Sequence, residues 1–320
     1  MAAGSVNEHR TQRGDAGMNA LQARTENRRR AMRVVVATDG SPDATQAVEW
    51  LTQFPVPADA SIDIVSAIPW PESTTKAGRE LWRHAGAIVE DARARLSKQW
   101  KDVGAAVDDG DPRSVITDAA AATSADLIAV GARPLGVVSS ALLGSVSLGV
   151  ARHAPCPVLV CKGSARPLRS VTIGLDGSLS ARVALDYFAA LPLPTDLALR
   201  LVGVVEPLRY PSVDLLSPQL VELMKEYEDE RRVELERVLA AAVADLRGRV
   251  RRVSTTTLVG QAAPSILGEA AKQPSDLIVV GARGLGTVKR LLLGSVSESV
   301  LRHASCPVLI VRPTEDAERP

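Results

Sequence analysis

The sequence predicts an α/β protein of two tandem doubly wound domains, each a five-stranded parallel sheet with helices on both faces. Short apolar runs of the buried-strand kind alternate with helix-forming segments through both halves of the chain. A glycine pattern recurs: Gly281-Ala-Arg-Gly284, nine residues and Gly294-Ser295 follow the run Asp276–Val280, and Gly131-Ala-Arg-Pro134, nine residues and Gly144-Ser145 follow Asp126–Val130. A length of 320 residues suits about two domains, each able to bury its own core.

Taken in order, Arg33–Thr38 reads as a buried strand that ends in Asp39-Gly40-Ser41-Pro42, a turn offering a helix N-cap and a proline in the first helical turn. A helix follows through Trp50, then a strand at Ile62–Ile68 and an amphipathic segment over about Ala77–Val103. A strand before Gly110-Asp-Pro112 leads to a helix at Ser114–Ala122, and Leu127–Val130 is the strand before the glycine loop. A helix at Ser145–His153 and a strand at Pro157–Cys161 close the first half. The second half repeats these steps, with strands at Ser170–Leu175 and Leu197–Val205, the turn Asp176-Gly177-Ser178, and Gly260 in the place of Gly110.

Spacing locates one insertion. Asp39 and Asp176 are 137 residues apart, whereas Gly110 and Gly260, Gly131 and Gly281, and Gly144 and Gly294 are each 150 apart. The 13 additional residues therefore fall between the second and third strands of the second half, where apolar residues at helical spacing over Pro218–Leu246 predict a longer helix. The charge run Glu226–Arg232 is expected on that helix's solvated face. Parallel strands with helical crossovers place a ligand beyond the carboxyl ends of the strands, where strand order reverses. Both acidic turns and both glycine loops are expected at that crevice.

Composition narrows the function. The chain is 46% hydrophobic, 23% charged and only 3% aromatic, which does not suit a protein that stacks bases on aromatic platforms. Residues 1–31 hold Arg10, Arg13, Arg24, Arg28, Arg29 and Arg30 against Glu8, Asp15 and Glu26, leaving 32 basic and 34 acidic residues elsewhere. The predicted domains thus carry no basic field for nucleic acid. The basic head is expected to be a disordered tail, and Met32 reads as a natural beginning. No run of 18 apolar residues occurs, so a cytoplasmic protein without membrane spans is expected. Cys156, Cys161 and Cys306 have neither zinc-site nor redox-pair spacing. His153 and His303, each three residues before a cysteine, are read as packing and helix-end charge, and no metal site is predicted. Neither Ser41 nor Ser178 has a motif-linked histidine base, so no catalytic residue is assigned.

Glycines between a buried strand and a helix start give the backbone N–H groups unobstructed access to an anion, and the helix start adds its positive dipole end. The pattern is neither a Walker A sequence nor the dinucleotide fingerprint. Together with the Val-rich first strand ending in Asp-Gly-Ser and the Cys-Pro-Val-Leu final strand, it resembles the universal stress protein family in its ATP-binding branch, over about residues 32–162 and 169–312. The resemblance implies an adenine nucleotide alpha hydrolase-like fold with domains at 32–163 and 169–312 and a linker at 164–168 between them, which leaves the basic head at 1–31 and residues 313–320 as tails. It implies that Gly281, Gly284, Gly294 and Ser295 hold phosphates, that Ser297 assists, that Asp176 lies near the nucleotide and that Val205 meets the adenine. In the first half, Gly131, Gly144, Ser145, Ser147, Asp39 and Ile68 occupy the matching places. Arg133 and Arg283 stand in both loops, and Lys289 and Arg290 in the second only, as a cationic clamp or as an exposed loop.

The leading expectation is an ATP-binding regulatory protein of the stress response, with Mg²⁺ as the nucleotide's companion, an internal pseudo-dimer of the two domains, a further homodimer and an unassigned protein partner. A slow ATPase or nucleotidyl-transfer enzyme, with Asp176 as its carboxylate, and a nucleotide-free interaction module are the alternatives. Pro134 stands where the family has its second glycine; it lacks an N–H and fixes φ near −65°, so weak or absent binding is expected in the first half. In nucleotide titrations Gly284→Pro should abolish most binding, whereas Pro134→Gly should create or strengthen a first site; unchanged stoichiometry in both variants would refute the expectation.

Overall fold

The computed structural model describes residues 31–69, 75–132, 143–208, 217–284 and 293–313. Two compact units meet in the chain between Pro167 and Leu168. The first contains β1 (Arg33–Ala37), α1 (Pro42–Gln53), β2 (Ser61–Ile68), α2 (Lys76–Leu96), β3 (Asp102–Asp109), α3 (Pro112–Ala122), β4 (Leu127–Gly131), α4 (Ser145–His153) and β5 (Val158–Cys161). The second contains β6 (Ser170–Gly174), α5 (Leu179–Ala190), β7 (Ala198–Val205), α6 (Pro218–Asp245), β8 (Arg252–Val259), α7 (Ala262–Lys272), β9 (Leu277–Gly281), α8 (Ser295–His303) and β10 (Val308–Val311).

Every pairing within a unit is parallel. The first unit has the order β3-β2-β1-β4-β5, and the second the order β8-β7-β6-β9-β10. In each, the chain reverses its progress across the sheet between the first and fourth strands. Helices α1 and α2 cover one face of the first sheet while α3 and α4 pack together on the other; α5 and α6, against α7 and α8, do the same in the second. A central strand covered on both faces has to be apolar throughout. Accordingly Val34, Val35 and Val36 of β1 are wholly buried, as are Val171 and Ile173 of β6.

The strand-to-helix turns follow from their sequence. Asp39 Oδ1 accepts from the Ser41 N–H, and Asp176 Oδ1 from the Ser178 N–H, both at 2.9 Å. Gly40 and Gly177 take φ of +77° and +83°, a conformation that favours glycine. Ser41 and Ser178 then cap α1 and α5 through the N–H groups of Ala44 and Ala181.

Helix α2 stops at Leu96, short of the expected end at Val103. Leu96, Trp100 and Val103 continue the helical spacing, but Ser97–Trp100 form a closing turn in which the Trp100 N–H donates to the Leu96 carbonyl at 3.0 Å. Trp100 is buried with its Nε1 on the Pro57 carbonyl, and Val103 already pairs with Ile62 in the β2–β3 ladder. The longer helix of the second half is present: α6 has 28 residues against 21 in α2. Its buried residues are Leu235, Leu239 and Ala242, all in the half that lies on β7 and β8. No helix among the described residues is long and apolar enough to cross a membrane. The expected tail at 1–31 lies almost wholly outside the described residues.

One polar cluster is buried in the second unit. Arg200 of β7 donates to Thr172 Oγ1, to the Gln273 carbonyl and to Gln273 Oε1. Its Nε also lies 3.8 Å from Glu269 Oε1, with both side chains 9% exposed. Removing one member of a buried charged pair leaves the other unsolvated, at a cost of about 3–5 kcal/mol. Arg200→Met should therefore lower the stability of the second unit by about that amount, and faster amide exchange in β6, β7 and α7 is the readout. Unaltered exchange in those elements would show that the cluster contributes nothing.

Candidate functional site

At the carboxyl end of the second sheet lies a cavity of about 430 Å³. Its floor is the end of β7, where Val204, Val205 and Glu206 emerge; one wall is the Asp176-Gly177 turn, another is Arg283-Gly284 with Gly294–Ser297 at the start of α8. Ala262, the first residue of α7, and a face of α6 carrying Tyr227, Arg231, Glu234, Leu235 and Val238 complete it. A smaller recess of about 80 Å³ adjoins it, reaching Val202, Ile266, Val280 and Gly281 and sharing Asp176, Gly284 and Ser297 with the larger space. The recess is lined mainly by apolar side chains, with Asp176 and Arg283 at the part it shares with the larger cavity, whereas Glu206, Arg231 and Glu234 line the larger cavity alone.

Each glycine of the pattern has its own physical reason. A Cβ on Gly281 would come within 2.6 Å of the Ser180 backbone, so the end of β9 can touch the start of α5 only without a side chain. A Cβ on Gly284 would stand 2.7 Å from Asp176 Oδ2, which places this glycine directly against the carboxylate. Gly294 is the N-cap of α8 at φ −65°, with no side-chain bond to the helix start, so the first N–H groups of α8 face the cavity edge without a capping side chain. Its own N–H donates to the Ala282 carbonyl at 2.8 Å.

The serines divide similarly. Ser295 is exposed at the first position of α8. Ser297 is buried, and its hydroxyl donates to the Gly281 carbonyl at 2.6 Å. That bond ties α8 to the end of β9, so Ser297 lines the cavity while its proton serves the fold. Of the second-half residues singled out in the sequence, Asp176, Val205, Gly284, Gly294, Ser295 and Ser297 line the larger cavity, and Gly281 lines only the recess.

In the first unit Gly131, Gly144, Ser145 and Ser147 repeat this frame. A Cβ on Gly131 would meet the Asp43 carbonyl oxygen at 2.4 Å, Ser147 donates to the Gly131 carbonyl at 2.5 Å, and Gly144 caps α4 without a side-chain bond. Asp39 is exposed, and Ile68 is buried at the end of β2. A cavity of about 330 Å³ in this unit lies elsewhere, lined by Thr38, Thr45 and Val48 on one side and by His84, Asp91 and Arg95 of α2 on the other; none of the six first-half site residues lines it. Pro134, Arg133, Gly286, Lys289 and Arg290 lie outside the described residues.

Sequence reasoning missed the α6 wall. The run Glu226–Arg232, expected on a solvated face, is divided: Tyr227 and Arg231 line the cavity, and Arg231 Nη1 pairs with Glu234 Oε2 at 2.8 Å. The signal was the spacing of Tyr227, Arg231, Glu234 and Val238, which puts all four on one face. Glu206 was also missed. Its Oε1 accepts from the Ala262 N–H at 2.8 Å and so caps α7, because the N-cap Gln261 makes no side-chain bond of its own. In α3 the matching Asp111 does this locally, held by Arg113, whose guanidinium keeps the carboxyl well below the usual carboxylate range.

The histidine–cysteine pairs serve helix ends. His153 and His303 bond through Nδ1 to the carbonyls of Gly149 and Ser299. Cys156, Cys161 and Cys306 are buried, and burial pushes the Cys161 thiol far up.

A doubly wound unit repeated in tandem, with a crevice site at its strand reversal, is thus the class that fold and site define. The sequence profile of the universal stress protein family matches residues 31–162 and 167–312. A universal stress protein of Mycobacterium tuberculosis strain H37Rv is 30% identical over 319 residues, covering 90% of this chain and 97% of its own. A second from the same strain is 28% identical over 303 residues, covering 87% and 96%. Among solved structures, a universal stress protein from Archaeoglobus fulgidus matches with a TM-score of 0.62 at 24% identity, covering 89% of this chain and 97% of its own. This chain belongs to the universal stress protein family, with two family domains in tandem.

The two loop glycines should respond differently to a methyl group. Gly281→Ala pushes against backbone and should cost about 1–3 kcal/mol of stability, whereas Gly284→Ala pushes only against the movable Asp176 side chain and should leave the melting temperature nearly unchanged. Thermal melts of the two variants check this; equal losses would refute the division of roles.

Proposed function

We propose that this protein is an ATP-binding regulator of the stress response, with the nucleotide held by the second unit and accompanied by Mg²⁺. The observation that carries the reading is the 430 Å³ cavity, which joins an apolar recess to a helix start free of a capping side chain. Its volume lies within the ~300–1,000 Å³ range of small-molecule sites. The residues fit an adenine nucleotide in kind. Val202, Val280 and Ile266 offer an apolar slot for a flat ring. Val205 ends β7 beside that slot, and its backbone would read the ring's edge. Gly284, Gly294 and Ser295 present backbone and hydroxyl to phosphates, where a helix start favours negative charge. Asp176, whose Oδ1 is engaged by Ser178, would meet the ligand through Oδ2.

In the first unit Asp39, Ile68, Gly131, Gly144, Ser145 and Ser147 are proposed for a weaker site of the same kind. A homodimeric, cytoplasmic protein that changes partner with nucleotide state completes the reading. Native mass spectrometry of the purified protein, with identification of released ligand and ATP titration in Mg²⁺, tests it. One adenine nucleotide per chain is expected. No binding at millimolar ATP would overturn the reading and favour a nucleotide-free interaction module.

A further inference from the structure

We propose that Arg231, presented by the long helix α6, makes the second-unit cavity selective for nucleotides carrying a chain of phosphates, with Glu234 as the counter-ion it leaves when such a ligand enters. The inference rests on the reading of this cavity as a nucleotide site.

Three observations carry it. Arg231 lines the larger cavity and not the mainly apolar recess, whose charged side chains, Asp176 and Arg283, are shared with the larger cavity. A ligand with one apolar and one charged end therefore lies with its ring inward and its phosphates toward the wall that bears Arg231. The position along α6 agrees: Val238 packs beside Gly177, and Arg231 is seven residues nearer the helix start, about 10 Å farther along the axis. An arginine there can meet a phosphate that lies past the Asp176-Gly177 turn.

The second observation is the state of the Arg231 side chain. Its bond to Glu234 is 2.8 Å long, but the two side chains are 38% and 64% exposed. Such an exposed pair contributes little to stability and exchanges partners at little cost. A guanidinium binds phosphate oxygens in the same forked geometry as a carboxylate, and a terminal phosphate carries more charge.

The third is the contrast between the units. At the matching positions of α2 stand Leu81 and His84, and Leu81 is exposed. The first unit thus has no guanidinium at these two positions, although it keeps Gly131, Gly144 and Ser145. A difference in ligand class between the units would follow from α6 as well as from the glycine loop.

Calorimetric titration of the full chain with ATP, ADP, AMP and cyclic AMP in Mg²⁺ tests the inference. Arg231→Met keeps the aliphatic stem and removes the charge. It should weaken ATP about 10-fold and AMP less than about 2-fold, as expected for one lost charge-assisted bond to an outer phosphate. Arg231→Lys should restore part of the ATP affinity, and Glu234→Gln should tighten ATP by freeing the guanidinium. An ATP to AMP preference that is the same in Arg231→Met as in the unaltered chain overturns this inference and leaves the nucleotide reading standing. Failure of the unaltered chain to bind ATP overturns both.

Discussion

Where the fourth strand of each unit ends, its backbone lies against the backbone at the start of the unit's first helix, too close for any side chain between them. Gly131 lies against Asp43 and Ala44 in this way, and Gly281 against Ser180 and Ala181. The remaining geometry depends on that approach. It fixes the height of the first helix over the strand reversal, and with it the acidic turn that precedes the helix. It also sets the carbonyl of the same glycine where Ser147 or Ser297 can donate to it, which anchors the following helix. Two helix starts and a carboxylate are thereby held round one crevice by contacts that are mostly backbone.

Much of this was legible in the sequence because it rests on periodicity and on residues with few conformational options. Val-rich runs marked the buried strands, Asp-Gly-Ser marked the capped turns, and the unequal offsets located the longer helix. The end of α2 was misread because Trp100 and Val103 fall at helical spacing by coincidence, although they belong to a turn and a strand. Site residues supplied by distant elements were hidden for a different reason. Glu206 caps α7 across a gap of 56 residues, and nothing local to either partner announces such a bond. In α6, the charged residues beside Tyr227 and Arg231 masked the face that borders the cavity.

The two units solve the same packing problems with different charges. Across the seam between the first two helices, Arg95 of α2 reaches Glu49 of α1 at 3.7 Å, whereas in the second unit Arg182 of α5 reaches Asp245 of α6 at 2.7 Å. The cation has changed sides. These are exposed pairs, each worth about 0–1 kcal/mol, so their reversal barely affects stability. It does affect shape, because Thr45 stands where Arg182 does and borders the 330 Å³ cavity of the first unit. Like the exchange of Leu81 for Arg231, it changes the wall while leaving the frame alone.

The close approach at Gly131 and Gly281 also bears on how such a motif can decay. Loss of that glycine would disturb the fold of its unit, whether or not a ligand binds there, and loss of Ser147 or Ser297 would untether a helix. The second glycine and the partly exposed wall residues Tyr227 and Arg231 carry no comparable structural burden. A copy released from ligand binding is therefore free to change at its outer positions first and to keep its inner ones, so that half a signature outlives the activity it once marked. The first copy keeps Gly131 and Ser147 and differs from the second at Pro134 and Leu81.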